Sequence, residues 1–359
     1  MSDATKALHL LGQSLWLDNI TRDLLDSGTL KHYIDKFSIT GLTSNPTIFD
    51  QAISHSSSYD KEIRRQLAQG ASGEELFFNL AIQDLTRAAD LFSHAFKRTG
   101  SVDGFVSLEV SPLLAYDAQA SLAQARKLHD QANRPNLFIK IPGTQECLPA
   151  IEEAIFAGVP VNVTLLFSAA QYVAAADAYL RGLERRVAAD RPPDVRSVAS
   201  LFVSRWDRAV SDKIPAELRN TLGLAVGGQV YSAYRECLDS DRFQRLESQG
   251  ARPQRLLFAS TGTKDKAASD TLYISGLAAP DTINTMPEKT LLAFADHGVL
   301  ADALPRDGGK AAAVLSAHTK AGIDLTALAA QLQSDGAKGF VTSWNELLGA
   351  IKAKSKVLA

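Results

Sequence analysis

The sequence predicts an α/β fold, a (β/α)8 TIM barrel with additional helices, from two observations. Eight short apolar runs of strand length occur along the 359 residues, and most of them are separated by stretches with helical periodicity. Polar or charged residues stand where these runs end. A doubly wound open sheet is the alternative, but the chain contains no G-x-G-x-x-G after the first run and no G-x-x-x-x-G-K-[ST] motif.

The predicted strands are short and end at residues that break a strand or turn the chain. In order, they are Ser14–Asp18, Ser38–Thr43, Gly104–Val110, Leu137–Ile141, Val159–Leu165, Ser197–Val203, Arg255–Ser260 and Asp281–Asn284. Pro46 forces Asn45 into an extended conformation, which places a polar amide at the end of the second strand. Pro112 and Pro142 likewise follow apolar runs, and each ends the predicted strand before it, the third and the fourth.

Predicted helices fill most of the intervals between the strands. Their approximate bounds are Gln51–Ala68, Leu76–Phe96, Asp117–Ala132, Thr144–Ala157 and Ser168–Arg186. A long, mostly helical segment runs from Trp206 to Gln249, and helical sequence with breaks at Gly298 and at Gly308 and Gly309 runs from Glu288 to the C-terminus. Ser72 to Glu75 has the form of a capping box before the second of these helices. We therefore predict one barrel domain over residues 1–359, with a helical insertion near 206–250 and a helical C-terminal segment near 288–359.

Composition excludes several classes of partner. A net charge of −2 gives no reason to expect a nucleic acid or an anionic membrane surface as a partner. The two cysteines, Cys147 and Cys237, lie far apart in sequence and form neither a disulfide framework nor a zinc-binding pair. No signal-peptide pattern and no membrane-length apolar run is present. We expect a soluble, cytoplasmic protein, whose oligomeric state remains open.

One lysine, Lys140, stands in the predicted fourth strand, between Ile139 and Ile141. The ammonium group is among the groups least often buried without a partner. Burial disfavours the charged form, and a neutral amine is a nucleophile that can form a Schiff base with a carbonyl. The alternative is that Lys140 lies just past the strand and extends its amine to water.

Further polar residues stand at the ends of the other strands, where barrel active sites lie. The ten residues singled out in this way are Asp18, Asn45, Glu109, Lys140, Asn162, Thr164, Ser200, Arg205, Ser260 and Lys264. Each one alone has a structural explanation, such as a helix cap or a surface ion pair. Together they predict an amine nucleophile, two carboxylates for proton transfer, groups that orient a polyol, and two cations suited to a phosphate.

Two other kinds of catalytic site are disfavoured by the sequence. The chain has no H-E-x-x-H motif, and its seven histidines are scattered, so metal-dependent catalysis is disfavoured and no metal or cofactor is expected. G-x-S-x-G is absent, which argues against an α/β-hydrolase serine.

The segments that surround these residues resemble transaldolase, in particular its longer plant- and mycobacterial-type branch. The matching segments are SLWLDNITRDLL, ITGLTSNPTIF, VSLEVSP, LFIKIPGT, GVPVNVTLLFS, SVASLFVSR, LLFASTGTKD and DTINTMP, from about residue 12 to residue 287. The resemblance implies a class I aldolase-type barrel. It also implies transfer of a dihydroxyacetone unit between sugar phosphates of the pentose phosphate pathway, namely sedoheptulose 7-phosphate with glyceraldehyde 3-phosphate, and erythrose 4-phosphate with fructose 6-phosphate.

The resemblance also implies catalytic roles for four residues. Lys140 in FIKIPGT matches the Schiff-base lysine. Asp18 in WLDN matches the aspartate that serves as acid and base on the hydroxyl of the bond that breaks. Glu109 in SLEVSP and Thr164 in NVTLLFS match the pair that holds a catalytic water.

Substrate-binding roles follow from the resemblance in the same way. Asn45 and Asn162 match asparagines that bind the dihydroxyacetone moiety, and Ser200 and Arg205 match the phosphate side. The seventh strand departs from the family pattern, because many members have an arginine soon after the Ala-Ser pair. Here Ser260 is followed by a turn that contains Lys264, and we assign Lys264 as the substitute for that arginine.

Three other functions remain open from the sequence. A fructose-6-phosphate aldolase-like lyase would use the same imine and release free dihydroxyacetone. A metal-dependent sugar isomerase on the same barrel would need a set of His, Asp and Glu ligands, which the sequence does not suggest. A non-catalytic barrel that binds sugar phosphates would not need Lys140, Asp18 and Glu109 together.

Overall fold

Eight parallel strands close into a barrel in the computed structural model, which describes residues 3–300 and 302–358. Each strand pairs with its neighbours in chain order, and the eighth pairs with the first. The predicted (β/α)8 barrel is confirmed. Met1, Ser2, Ala301 and Ala359, which the predicted domain boundaries include, lie outside the described residues.

The strands are buried on both faces, which explains their nearly continuous apolar sequence. Their bounds are β1 Ser14–Asp18, β2 Ile39–Thr43, β3 Val106–Glu109, β4 Leu137–Pro142, β5 Val161–Leu166, β6 Ser197–Phe202, β7 Gln254–Ala259 and β8 Ile283–Met286. The last of these begins two residues later than predicted. Asp281 has a φ of 62°, a left-handed conformation that belongs to a turn, so the strand cannot begin there.

The helices pack around the outside of the barrel and across its ends. Their bounds are α1 Ala4–Leu10, α2 Arg22–Asp26, α3 Thr29–Phe37, α4 Pro46–His55, α5 Asp60–Leu67, α6 Gly73–Arg98, α7 Ala118–Ala132, α8 Leu148–Ala157, α9 Ala169–Ala188, α10 Ser204–Val210, α11 Leu222–Asp239, α12 Asp241–Glu247, α13 Leu272–Gly276, α14 Glu288–His297, α15 Ala311–Lys320 and α16 Leu325–Leu358. Within residues 3–300 and 302–358, no helix combines the length and the apolar character needed to cross a membrane.

Two predictions about helices were wrong. The single helix predicted near Gln51–Ala68 is two helices, α4 and α5, because the chain is extended at Ser56. The capping box at Ser72 does not form, since its side chain makes no capping hydrogen bond. Gly73, the first residue of α6, has a φ of 52°, and we attribute the missing bond to this left-handed start of the helix.

The N-terminal end of the barrel is filled by aromatic side chains. Phe105 stacks on Phe138 with 4.2 Å between ring centroids, and Trp16 lies 6.3 Å from Phe138. Gly41 makes this packing possible, because a Cβ there would lie 2.5 Å from Cε2 of Trp16. Large rings therefore pack in the layer below the site, and the Trp16 indole donates a 2.8 Å hydrogen bond to Oδ1 of Asp103 at this end of the barrel.

Near residues 206–250 the described chain forms α10, α11 and α12, and after β8 it forms α14, α15 and α16, with loops between them. α10 begins at Ser204, so that Arg205 lies in the first turn of a helix and does not close the sixth strand as predicted. α16 is 34 residues long and reaches the top of the barrel. There the Thr47 hydroxyl, on α4, donates a 2.8 Å hydrogen bond to Oγ of Ser343 on α16.

Candidate active site

A cavity of about 130 Å³ lies at the C-terminal ends of the strands. It is lined by Asp18, Thr43, Asn45, Lys140, Thr164, Ser200, Phe202, Arg205, Ala259, Ser260, Gly262, Lys264, Thr285, Pro287 and Phe340. All but two of the predicted site residues line it. The exceptions, Glu109 and Asn162, lie behind this lining in the wall of the barrel, where each contacts a residue that lines the cavity.

The amine of Lys140 is held inside the barrel. Its side chain is only 6% exposed, and Nζ donates a 2.9 Å hydrogen bond to the backbone carbonyl of Ser44. Nζ also lies 3.4 Å from Oε2 of Glu109. Strand pairing sets this geometry, because Lys140 is aligned with Glu109 on β3 and with Asn162 on β5. The alternative that Lys140 extends to water is therefore wrong.

Glu109 is a buried carboxyl group beside the amine. Burial raises the pKa of Glu109, while the charge of Lys140 and the hydrogen bond from it oppose that rise. Its second oxygen, Oε1, and the hydroxyl of Thr164 are both buried and have no hydrogen-bond partner among the described residues. Buried polar atoms are normally paired, so these two can bind a small polar molecule such as water.

Asp18 ends β1 and takes part in a short chain of hydroxyl groups. The Thr43 hydroxyl donates a 2.7 Å hydrogen bond to Oδ1 of Asp18, and it lies 2.7 Å from the Thr285 hydroxyl. Since the single hydroxyl hydrogen of Thr43 is used on Asp18, Thr285 is the donor to Thr43. Burial raises the pKa of Asp18, and this hydrogen bond and the positive charge of Lys140 lower it.

The two predicted asparagines differ in position. Asn45 lines the cavity, and its Oδ1 accepts a 3.1 Å hydrogen bond from the backbone N–H of Ile48 at the start of α4. Asn162 is fully buried, donates from Nδ2 to the Ser107 hydroxyl at 3.1 Å, and accepts from the Ser200 hydroxyl at 2.7 Å. The structure therefore brings Ser200 to the cavity surface with Asn162 directly behind it.

The cations lie on the side of the cavity that faces α10. The Arg205 guanidinium lies over the ring of Phe202, with 4.9 Å from Cζ to the centroid, and 5.8 Å from the centroid of Phe340. Burial lowers the pKa of Arg205. Ser260 has a φ of 55°, and Lys264, in the turn that follows, is exposed while still lining the cavity.

Comparisons with known proteins agree with this geometry. The family model described as transaldolase/fructose-6-phosphate aldolase matches residues 15–351. The chain belongs to this family. It is 43% identical over 357 residues to the transaldolase of Mycobacterium tuberculosis H37Rv, a match that covers 97% of this chain and 96% of that protein. The family resemblance predicted from the sequence is confirmed.

Two further relatives of the transaldolase family match over nearly their whole length. Transaldolase 2 of Streptomyces coelicolor is 42% identical, with 100% of this chain and 99% of that protein covered. The transaldolase of Thiobacillus denitrificans is 43% identical, with 97% of this chain and 99% of that protein covered.

Helix α16 gives this member of the transaldolase family a cavity wall that the sequence did not predict. Phe340 lines the cavity, and Nε2 of Gln333 donates 3.0 Å hydrogen bonds to the backbone carbonyls of Gly143 and Leu165. Gly336 permits this approach, because a Cβ there would lie 2.9 Å from the Leu165 side chain. No pattern near Phe340 indicates that this face of the helix covers a site.

Other residues of the site were also missed, although the sequence offered signals for some of them. Thr43 and Ser44 directly precede Asn45, and Phe202 shares a strand face with Ser200 because side chains alternate along a strand. Ser44 acts through its backbone carbonyl, which no side-chain pattern reports. Among the described residues, no group of three or more His, Cys, Asp and Glu side chains could hold a metal ion.

Proposed function

We propose that this protein is a transaldolase of the pentose phosphate pathway. It moves a dihydroxyacetone unit from sedoheptulose 7-phosphate to glyceraldehyde 3-phosphate, which yields erythrose 4-phosphate and fructose 6-phosphate. The observation that carries the proposal is the buried amine of Lys140, held beside a carboxyl group in a cavity that Asp18 also lines. Similarity to curated transaldolases over nearly the whole chain supports it.

The first proposed step forms a covalent imine on Lys140. The neutral amine attacks the C2 carbonyl of the ketose, a C–N bond forms, and the carbonyl oxygen leaves as water after protonation. Glu109 and Thr164 hold a water that relays the protons, which is supported by their two buried oxygens without partners. The raised pKa of Glu109 makes it a stronger base than an exposed carboxylate, which suits it to accept and return a proton.

The second proposed step breaks the C3–C4 bond. Asp18 removes the proton of the C4 hydroxyl, the aldose product leaves, and the bonding electrons move into the iminium to give an enamine on Lys140. The acceptor aldehyde then adds by the reverse sequence, with Asp18 returning the proton. No metal or cofactor takes part, since the iminium accepts the electron pair.

The remaining polar residues bind the substrate in this proposal. Two roles differ here from those that the resemblance implies, because Asn162 is fully buried behind Ser200. Asn45 and Ser200, which line the cavity, hydrogen-bond the hydroxyl groups of the dihydroxyacetone unit, while Asn162 orients Ser200 from behind. Arg205, Ser260 and Lys264 bind the phosphate. The partners are therefore sugar phosphates, with no nucleic acid and no membrane involved. We place the protein in the cytoplasm, and both cysteines are free, as expected of a reducing compartment.

Arg205→Ala should raise the KM for fructose 6-phosphate by roughly 10- to 150-fold, because a charge-assisted hydrogen bond is worth about 1.5–3 kcal/mol. Lys264→Ala should raise it less, since Lys264 is exposed and acts as a point charge. The measurement is steady-state kinetics with fructose 6-phosphate and with unphosphorylated fructose. The kcat/KM for fructose should hardly change in either variant. Equal damage to both substrates by Arg205→Ala would make Arg205 a structural residue.

Thr43→Val should move the acid limb of the kcat profile to higher pH. Asp18 must be ionised to act as a base, and the Thr43 hydrogen bond lowers its pKa, so loss of the bond raises the pKa further. Activity should therefore fall most at the acid end of the profile and recover as the pH rises. Thr285→Val is the matched control, because it removes the hydroxyl behind Thr43, and its shift should be smaller. If the acid limb of the kcat profile is unchanged in Thr43→Val, Asp18 is not the base.

The decisive test of function is a coupled assay of fructose 6-phosphate cleavage with and without erythrose 4-phosphate. A transaldolase consumes fructose 6-phosphate rapidly only when the acceptor is present, because the enamine waits for an aldehyde. A fructose-6-phosphate aldolase-like lyase would release free dihydroxyacetone at the same rate without the acceptor. The names of the full-length relatives do not favour that alternative or a metal-dependent isomerase.

A further inference from the structure

A second, larger cavity opens outside the active-site cavity. It has a volume of about 740 Å³ and lies between α10, the turn after β7 and α16. We call it the outer basic cavity and define it by Arg205, Arg208, Lys213, Lys264 and Asp335. Arg205 and Lys264 line both cavities, so the two adjoin at the proposed phosphate position.

Positive charge in the outer basic cavity is not compensated. Four cations and a single carboxylate, that of Asp335, line it. In the part of the chain that the structure describes, none of the four cations forms an ion pair, and Oδ2 of Asp335 contacts Nε2 of Gln331 at 3.4 Å. Arg205 and Arg208 lie three residues apart on α10, so they share one face of the helix, and the charge of Arg208 lowers the pKa of Arg205 after the larger effect of burial.

Nearby carboxylates among the described residues form no ion pair with these four cations. Asp212 and Asp265 line a neighbouring cavity that Arg208 and Lys264 also reach. Asp265 accepts hydrogen bonds from the Asn220 side chain and from a backbone N–H, and it forms no ion pair with Lys264. A concave surface lined mainly by one sign of charge concentrates ligands of the opposite sign.

The sizes of the two cavities bear on what occupies the outer one. The inner cavity, at about 130 Å³, is smaller than the roughly 300–1,000 Å³ typical of small-molecule pockets. A six- or seven-carbon sugar phosphate bound to Lys140 therefore extends toward the shared residues Arg205 and Lys264. The outer basic cavity, which these two residues also line, offers an incoming sugar phosphate a route to them.

We propose that Arg208 and Lys213 form a second anion site, which captures the phosphate of a sugar phosphate before Arg205 and Lys264 bind it in the active site. The ligand class is a phosphate monoester dianion. This inference rests on the proposed function, since it concerns how the same substrates reach the site. Arg208 and Lys213 are exposed and lie outside the active-site cavity, so they influence capture and leave the chemical steps unchanged.

The test is the double variant Arg208→Gln with Lys213→Gln, assayed with fructose 6-phosphate and erythrose 4-phosphate. At an ionic strength of about 0.01 M, where charges act over about 30 Å, kcat/KM should fall about tenfold, the low end of electrostatic steering. At about 1 M, where the range is about 3 Å, the variant and the wild type should converge. The kcat of the double variant should equal that of the wild type at each of the two ionic strengths.

A matched control removes the same charge elsewhere. Arg126→Gln with Lys127→Gln changes two exposed residues of α7 that line neither cavity. This control should keep the wild-type kcat/KM and its salt dependence. Unphosphorylated fructose as donor should be insensitive to the Arg208 and Lys213 changes, because it carries no charge.

An activity-independent measurement separates this inference from the proposed function. Inorganic phosphate at low ionic strength should raise the Tm of the wild type and the control more than that of the Arg208 and Lys213 double variant. The second site would be overturned if kcat/KM depended on salt equally in the double variant and the wild type. It would also be overturned if the Arg126 and Lys127 control lost as much kcat/KM as the double variant. Absence of acceptor-dependent cleavage in the wild type would instead overturn the proposed function and leave the phosphate comparison valid.

Discussion

Lys140→Met should abolish acceptor-dependent cleavage of fructose 6-phosphate and trapping by borohydride together. Methionine is similar in length and remains buried, but it has no amine, so no imine can form. The loss should exceed about 10⁴-fold, the upper end for removing a general acid or base, because the entire covalent route is lost. In the wild type, borohydride added with fructose 6-phosphate should inactivate the enzyme, and peptide mapping should place the adduct on Lys140.

Lys264→Met is the matched control for this experiment. It removes an amine that lines the same cavity but is exposed, and it should still be trapped on Lys140. Thermal unfolding of Lys140→Met should be measured alongside, since Ser44 loses its donor and Glu109 loses its charged neighbour. An adduct on another lysine, or an active Lys140→Met, would contradict the assignment.

Asp18→Ala should slow turnover by at least about 10²-fold, the low end of general-base effects, while the imine still forms. Asp18 stands at the end of β1 and is proposed to act only when the C3–C4 bond breaks. Imine formation depends on Glu109 and Thr164, which lie on β3 and β5, the two strands that flank the β4 strand of Lys140. The variant should therefore be inactivated by borohydride and fructose 6-phosphate almost as readily as the wild type.

Glu109→Gln provides the opposite case. It keeps the shape of the side chain and removes its ability to exchange protons, so both trapping and turnover should slow. Comparing the trapping rate with the turnover rate in the two variants separates the two proposed steps. Near-normal turnover in Asp18→Ala would show that Asp18 has only a structural role at the end of β1.

Sequence patterns predicted the barrel because its strands are buried on both faces and separated by helices. The run from Leu137 to Ile141 illustrates this, since β4 spans Leu137–Pro142. Predictions failed where local backbone geometry decides the outcome. The start of β8 depends on the left-handed turn at Asp281, and the break between α4 and α5 depends on the extended backbone at Ser56.

Most of the site was predictable for a topological reason. Parallel strands in a closed barrel bring their C-terminal ends to one rim, so a polar residue at each end predicts a cluster without any knowledge of distances. The carbonyl of Ser44 and the ring of Phe340 were not predictable in this way. Ser44 acts through its backbone, and the position of Phe340 depends on how α16 packs across the barrel.

The position of α16 has a consequence for biosynthesis. A nascent chain that has left the ribosome as far as Pro287 has all eight strands and the amine of Lys140, but not α16 and its Phe340. Synthesis of the next 71 residues, to Leu358, takes roughly 4–14 s at about 5–20 residues per second. During that interval the cavity that contains the Lys140 amine lacks the wall that Phe340 forms. Docking of α16 completes the cavity after the strands and the lysine have been synthesised.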